Sequence, residues 1–257
     1  MCGVGRRLEP TRSSMNRRSC ALVVVGNEIL SGKIQDSNAF FAARELRAAG
    51  VALERIVVVP DELDAIADEV RGCAARCDFV VTSGGVGPTH DDLTLEGVGR
   101  AFGRKLILNQ ELAALINEHS SGRSNPARLK MAEIPEGAIL NHASELWFPT
   151  VQLENVYILP GVPQLFEPKL RMIAERYRSD PFFIRVIYTS ATESIIAAYL
   201  NDCMARFPEL MLGSYPKFDD ADYRVKLTLE SKDRDYLARA FDYLVGLLPR
   251  EAVLRTQ

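Results

Sequence analysis

No apolar run in these 257 residues approaches the ~20 that a membrane helix needs. No membrane partner is expected. Nor is there a surplus of positive charge: 31 Lys and Arg stand against 34 Asp and Glu, a formal net charge of −3. That balance argues against general attraction to nucleic acid or to an anionic bilayer. The five cysteines (Cys2, Cys20, Cys73, Cys77 and Cys203) include no C-x-x-C pair, and their odd count fits reduced thiols in a cytoplasmic setting. Cys73 and Cys77 lie four apart, which would suit a metal pair. They also extend the helical stripe Leu63, Ile66, Val70, so core packing is the better reading. Two phosphate signatures are missing, the Gly-Lys-Ser/Thr of a nucleotide-hydrolysing P-loop and the Gly-x-Gly-x-x-Gly of a dinucleotide fold. After Arg178 there is no G-x-x-G clamp of a nucleic-acid-binding KH module, and the chain shows no internal repeat and no low-complexity tract.

What remains is a globular composition, 47% hydrophobic and 25% charged, in a chain long enough for one large domain or one medium plus one small. Residues 1–20 are irregular and arginine-rich (Arg6, Arg7, Arg12, Arg17, Arg18) and read as a disordered tail. An organellar transit segment is the alternative, although no amphipathic pattern supports it, and Met15 would serve equally as a start.

The chain is organised around residues 78–94. Phe79 to Thr82 is a short apolar, β-branched run, as a buried strand requires. It enters a turn with Gly84, Gly85 and Gly87, then a cluster of Thr89, His90, Asp91, Asp92 and Thr94 that is expected to open the next helix. Glycines let backbone N–H groups approach a ligand closely, and adjacent carboxylates hold a hard cation that neutralises phosphate oxygens. The expected ligand is therefore a phosphate or pyrophosphate compound with a divalent metal. The plainer alternative is a strand-to-helix turn with Thr89 and Asp92 as a capping box, which would need neither three glycines nor a second carboxylate.

Ahead of this stretch, Ala21 to Val25 reads as a buried strand leading into Gly26, Asn27 and Glu28. Asp36 and Ser37 offer a start to a helix that Gly50 stops. A strand from Leu53 to Val59 ends at Pro60-Asp61-Glu62, and a helix from Leu63 to Arg76 follows. Behind the glycine turn come a helix to about Phe102, another from Asn109, a loop over residues 119–125, and a short helix with Pro126 in its first turn. Extended pieces follow at Ala138 to Leu140 and Asn155 to Leu159, then Pro160-Gly161 and a helix to about Tyr177. Alternating β and α segments build a parallel sheet covered on both faces. The carboxyl ends of parallel strands share one edge, where open α/β folds bind ligands. Four strand ends, at Gly26, Asp61, Gly84 and Gly161, would then converge on one pocket, provided the last strand is parallel.

After Arg178 the pattern resets to β-α-β-β-α-β, over Phe182 to Thr189, Glu193 to Phe207, Leu210 to Gly213, Tyr223 to Leu229, Arg234 to Leu248 and a final piece near Val253. That order is a small α+β domain of the split βαβ kind, with Gly213 to Pro216 read as an exposed turn. The expected organisation is a tail (1–20), a three-layer α/β domain with a mostly parallel sheet (21–178) and a small α+β domain (179–257).

Three segments, Gly26 to Gly32, Gly84 to Thr94 and Leu159 to Pro163, resemble the molybdopterin-binding-like domain family. Val57 to Glu62, Asn155 to Gly161, Leu212 to Pro216 and Val225 to Leu229 are most similar to the branch that includes the N-terminal domain of eukaryotic FAD synthases, beside the first domain of competence/damage-inducible protein A. The resemblance spans about Ala21 to Pro249 and implies a three-layer fold in homo-oligomers. It implies essential acids at Asp61 and Asp92, binding of molybdopterin in one branch, and metal-dependent hydrolysis of pyrophosphates such as FAD or ADP-ribose in the nearer ones. Asn27 stands where many relatives carry Asp, which argues against a metal ligand there. The adenylyl-transfer site of FAD synthases lies on another domain, so this chain is not expected to make FAD alone. The amidase of the damage-inducible group also lies on a domain not seen here.

The leading expectation is a pyrophosphatase. Asp92 and Asp91 would hold Mg²⁺ or Co²⁺ with Asp61 assisting, and Gly84, Gly85 and Gly87 would stabilise phosphate charge. Thr89 and Thr94 would donate to the ligand, with Glu28, Asp36, Asn38, Pro160 and Gly161 lining it. Capping is the plainer role for Asp36 and Asp92, and first-turn charge for Asp61. His90 has a pKa range suited to acid–base work, while a surface role is as well supported for it, and His119 and His142 lie in weaker contexts. Two further readings use the same loop: a molybdopterin-binding protein, and a non-catalytic flavin- or nucleotide-sensing module.

Overall fold

A computed structural model describes residues 18–119, 125–143, 146–217 and 222–257. The tail assigned to residues 1–20 falls largely outside them. Its last two residues, Ser19 and Cys20, belong instead to the first strand. The chain divides into two compact units, one ending at Pro181 and the other running from Phe182 to Gln257.

In the first unit β1 (Ser19–Val25) leads through the short α1 (Asn27–Leu30) to α2 (Asn38–Ala48), β2 (Ala52–Val59), α3 (Leu63–Ala74) and β3 (Phe79–Ser83). Then come α4 (Thr94–Ala101), β4 (Leu106–Leu108), α5 (Gln110–His119), α6 (Pro126–Lys130), β5 (Glu133–Pro135), β6 (Ile139–Ala143), β7 (Leu146–Leu153), β8 (Val156–Leu159) and α7 (Pro163–Arg176). The six-stranded sheet runs β2-β1-β3-β8-β7-β6, and its first four strands are parallel. The condition set for β8 is thereby met: Val80 pairs with Val156 and Ser83 with Leu159 in parallel register.

Burial on both faces explains the near-continuous apolar strands. One face of the sheet carries Ala21, Val23, Val80 and Ile158 against Ile66, Val70 and Cys73 of α3 and Val98 of α4. The other carries Leu22, Val24, Phe79 and Val81 against Leu46 of α2 and Phe166 and Leu170 of α7. Each fully buried leucine contributes about 2 kcal/mol. Cys73 lies inside the first of these clusters and Cys77 packs against it, as their stripe implied.

The sequence reading omitted β7, which pairs antiparallel with both β6 and β8. Proline is excluded from most central strands, and Pro149 hides this one. A register shift in β6 between Asn141 and Ala143, across from that region, accommodates it.

The second unit follows β9 (Phe183–Thr189), α8 (Glu193–Arg206), β10 (Met211–Pro216), β11 (Val225–Ser231), α9 (Arg234–Leu247) and β12 (Val253–Thr256). Its antiparallel sheet has the order β10-β11-β9-β12. The expected turn at Gly213 to Pro216 is part of β10, where Tyr215 pairs with Lys226. Ile187, Leu227 and Leu229 pack with Ile196 and Cys203 of α8 and with Leu237, Phe241 and Leu244 of α9.

Candidate functional site

Parallel pairing brings the ends of β1, β2, β3 and β8 to one sheet edge, and the four segments there are tied together. The Gly26 amide donates to Val59 O at 3.2 Å, and the Gly84 amide to Leu159 O at 3.2 Å. Asp61 Oδ2 accepts the Asn27 amide at 2.7 Å. Asn38 at the start of α2 reaches two segments at once, its Nδ2 donating to Ser83 Oγ at 2.9 Å and to Gly161 O at 2.8 Å.

The glycine turn is shaped by crowding. Gly84 has φ +103°, and a Cβ there would stand 2.2 Å from Val25 O. Such a backbone excludes other residues on both counts. At Gly87 the Cβ position is taken by the Asp92 carboxylate, with Oδ2 at 2.5 Å. Asp92 thus lies directly over the turn. Its Oδ2 accepts the Thr89 amide at 2.8 Å and the Thr89 hydroxyl at 2.5 Å. This closes a small loop ahead of α4, which begins only at Thr94, so the pair is not a capping box.

Several residues stand differently from expectation. Thr94 is fully buried and donates its hydroxyl to Gly84 O at 2.8 Å, so it shapes the turn and does not reach a ligand. The Gly84 amide is spent on the sheet, whereas those of Gly85 and Gly87 have no acceptor among the described residues. Asn38 is 4% exposed with both Nδ2 hydrogens committed, and it braces the site from beneath. Its Oδ1 is buried without a partner among the described residues. Asp36 accepts the amides of Asn38 and Ala39 at 3.1 and 3.0 Å, a capping role. Pro160 is buried, Gly161 is exposed, and Glu28 folds back over Gly26.

Asp91 is exposed beside the exposed His90, with Nδ1 of His90 3.8 Å from its Oδ1. The Thr89 hydroxyl, then Asp91's own amide and the charges of His90 and Lys130, hold the Asp91 carboxyl below the usual carboxylate range. A hydroxyl carries one proton, and the 2.5 Å contact commits Thr89's to Asp92. The Asp91 carboxyl is therefore held down in this geometry by its own amide and by the charges of His90 and Lys130.

No group of three His, Cys, Asp or Glu side chains gathers as a metal cage among the described residues. An ion of the Mg²⁺ type does not need one, because it binds through one or two carboxylates and completes its shell with water and substrate phosphates. Asp92 and Asp91 fit that donor set, beside free amides that would hold the same phosphates. Asp61 is engaged by the Asn27 amide and keeps one oxygen unassigned.

The family model for the probable molybdopterin-binding domain matches residues 21–178. The chain belongs to that family. A second model, the middle domain of FAD synthase, matches residues 181–257. A probable FAD synthase of Caenorhabditis briggsae is 32% identical over 252 residues, covering 85% of this chain and 47% of its own length. Protein Ta0487 of Thermoplasma acidophilum is 31% identical over 253 residues, with 90% of this chain and 97% of that one covered. The solved CinA of unknown function from the same organism superposes with TM-score 0.58 at 34% identity, over 63% of this chain and 99% of that one. This chain spans about half the length of the probable FAD synthases it matches.

Within this molybdopterin-binding-family domain, sequence reasoning missed Lys130. At the end of α6 it donates from Nζ to Thr89 O at 2.8 Å, setting a cation beside the acidic loop. A lysine ending a short helix carries no local signal that it folds onto a loop 41 residues earlier.

Proposed function

We propose that this chain is a metal-dependent pyrophosphatase that cuts a nucleotide diphosphate such as FAD or ADP-ribose. The observation that carries the reading is the pair of Gly85 and Gly87 amides, which have no acceptor among the described residues, with the Asp92 carboxylate lying against Gly87. Donors and an acid on one turn, at the edge where parallel strands end, suit a phosphate ligand that arrives with a cation. The relatives named as probable FAD synthases handle a flavin dinucleotide by their name, which supports the choice of ligand.

In this mechanism the Gly85 and Gly87 amides bind phosphate oxygens as charge develops on them. The amino end of α4 adds its dipole behind the same turn. Asp92 and Asp91 would hold the divalent ion, with Asp61, bound to the Asn27 amide at the same sheet edge, assisting. The ion, when bound, neutralises phosphate oxygens and makes a coordinated water more acidic. Thr89 fixes the Asp92 carboxylate, and Lys130 steadies the Thr89 carbonyl. Water oxygen bonds to one phosphorus, the bridging P–O bond breaks, and each half leaves as a phosphate monoester. With FAD the products are AMP and FMN, and with ADP-ribose they are AMP and ribose 5-phosphate.

Incubation with FAD, ADP-ribose and Mg²⁺ or Co²⁺, followed by chromatography, tests this directly. AMP release that EDTA stops supports the reading. Binding without cleavage would instead favour a flavin- or nucleotide-sensing module. Tight retention of molybdopterin alone would favour the pterin reading that the family match suggests. Homo-oligomerisation belongs to the same proposal, and sedimentation of the purified chain tests it.

A further inference from the structure

The second unit has a surface cavity of its own, of about 630 Å³ and largely open to solvent, between the end of α8 and one face of α9. That size lies in the range of small-molecule sites. It is lined by Arg206, Phe207, Tyr236, Arg239, Asp242 and Tyr243. Phe207, 8% exposed, is the floor, and its ring meets Tyr236 at 5.4 Å and Tyr243 at 5.7 Å between centroids.

Both tyrosines are held by their hydroxyls. Tyr236 accepts the Glu209 amide at 3.1 Å, and Tyr243 donates to Asp202 Oδ2 at 2.7 Å. The hydroxyl bonds anchor the tip of each ring, and the contacts with Phe207 set its tilt. Arg206 lies over the Tyr243 ring at 5.1 Å and Arg239 over the Tyr236 ring at 5.9 Å. Among the described residues neither guanidinium has a carboxylate within ion-pair distance, and both are exposed. Asp242 completes the lining with an acceptor.

Three chemistries meet here: aromatic faces, two planar cations with unused donors, and one carboxylate. Inorganic phosphate would use only the arginines, and an apolar ring only the tyrosines. We infer that the cavity binds a nucleoside monophosphate, with the exposed guanidiniums of Arg206 and Arg239 moving off the tyrosine rings to take its phosphate, its base in their place against those rings, and a ribose hydroxyl or exocyclic amine donating to Asp242. Arg guanidinium groups recognise phosphate in a bidentate way, and bases stack on aromatic faces without regard to sequence. Arg206 also offsets the carbonyl end of α8, where a bare anion would be disfavoured, so both arginines are needed. This inference does not depend on the pyrophosphatase reading.

Calorimetric titration of the full chain with AMP in EDTA tests it, because EDTA silences any metal-dependent binding at the glycine turn. The expected result is one site whose affinity is unchanged in Asp92→Asn and falls at least tenfold in the double variant Arg206→Ala/Arg239→Ala. Adenosine and inorganic phosphate should each bind at least tenfold more weakly than AMP. Both arginines are exposed, and the thermal transition of the double variant is expected to match that of the parent. The doubly lysine-substituted chain should fall between the two. No AMP binding, or AMP binding indifferent to the double substitution, overturns the site. Phosphate binding equal to AMP overturns the aromatic contribution.

Discussion

Asn38 Nδ2 donates to Gly161 O at 2.8 Å across 123 residues of sequence, and the same nitrogen holds Ser83 Oγ at 2.9 Å. One amide thus fixes the spacing between the turn after β8 and the end of β3. Asn38→Ala should lower stability by about 1–3 kcal/mol, since it strands a buried hydroxyl and a carbonyl. Asn38→Asp keeps the shape but sets an acceptor against Gly161 O, and should cost at least as much. Urea unfolding of both variants checks the pair. A loss in alanine that aspartate restores would contradict the donor assignment.

A methyl group at position 84 meets Val25 O on a backbone of positive φ. Gly84→Ala is expected to destabilise by roughly 2 kcal/mol or more and to remove phosphate binding. Gly103 also has positive φ, +66°, but nothing lies within 4 Å of an added Cβ. Gly103→Ala should therefore cost only about 1 kcal/mol. Equal losses in thermal unfolding would show that strain alone, and not the Val25 contact, sets the Gly84 requirement.

Asp92→Asn retains an oxygen for Thr89 while removing the charge. The protein should fold as the parent does and lose metal-dependent AMP release at least a hundredfold, with Asp91→Asn losing less. Turnover near the parent level in Asp92→Asn would sink the assignment of this acid.

Lys169 of α7 is 2% exposed, and its Nζ donates to Phe148 O at 2.5 Å and Thr150 Oγ1 at 3.3 Å. Burial pushes its amine down to about 8 from the ordinary 10.5. Between those values the unfolded chain binds the extra proton and the folded chain does not. Stability from this group therefore rises as pH climbs from about 8 to 10.5 and is penalised in full below 8. The window amounts to about 3 kcal/mol. Lys169→Met should flatten that rise in denaturant unfolding measured at pH 7, 9 and 10.5. Loss of the Phe148 partner lowers the variant at every pH alike, so the slope is the readout.

Strands and helices were legible where local pattern was strong. β1 to β3 are short β-branched runs, α2 and α3 carry helical stripes, and the β-α-β-β-α-β order of the second unit survives intact. β7 was hidden by Pro149, whose accommodation depends on a shift in the neighbouring strand. The convergence of four strand ends on one edge was legible, but the partners of the polar residues there were not. Thr94, Asp36 and Asn38 sit where the motifs place them, yet their polar atoms turn inward to a carbonyl, to helix amides and to a distant turn. Sequence types a hydroxyl or an amide correctly without saying which partner the fold supplies. Lys130 was invisible because its partner is a backbone carbonyl on another element.

β3 finds β8 only after the chain has travelled through α4, α5, α6 and four further strands. The Gly84 amide has no strand partner until Leu159 arrives, and the Asn38 side chain waits for Gly161. During synthesis the glycine turn therefore leaves the ribosome well before the residues that set its shape. Any ligand that needs the finished turn can be captured only after the last parallel strand has docked, which makes assembly of this edge a late event in the life of each new chain.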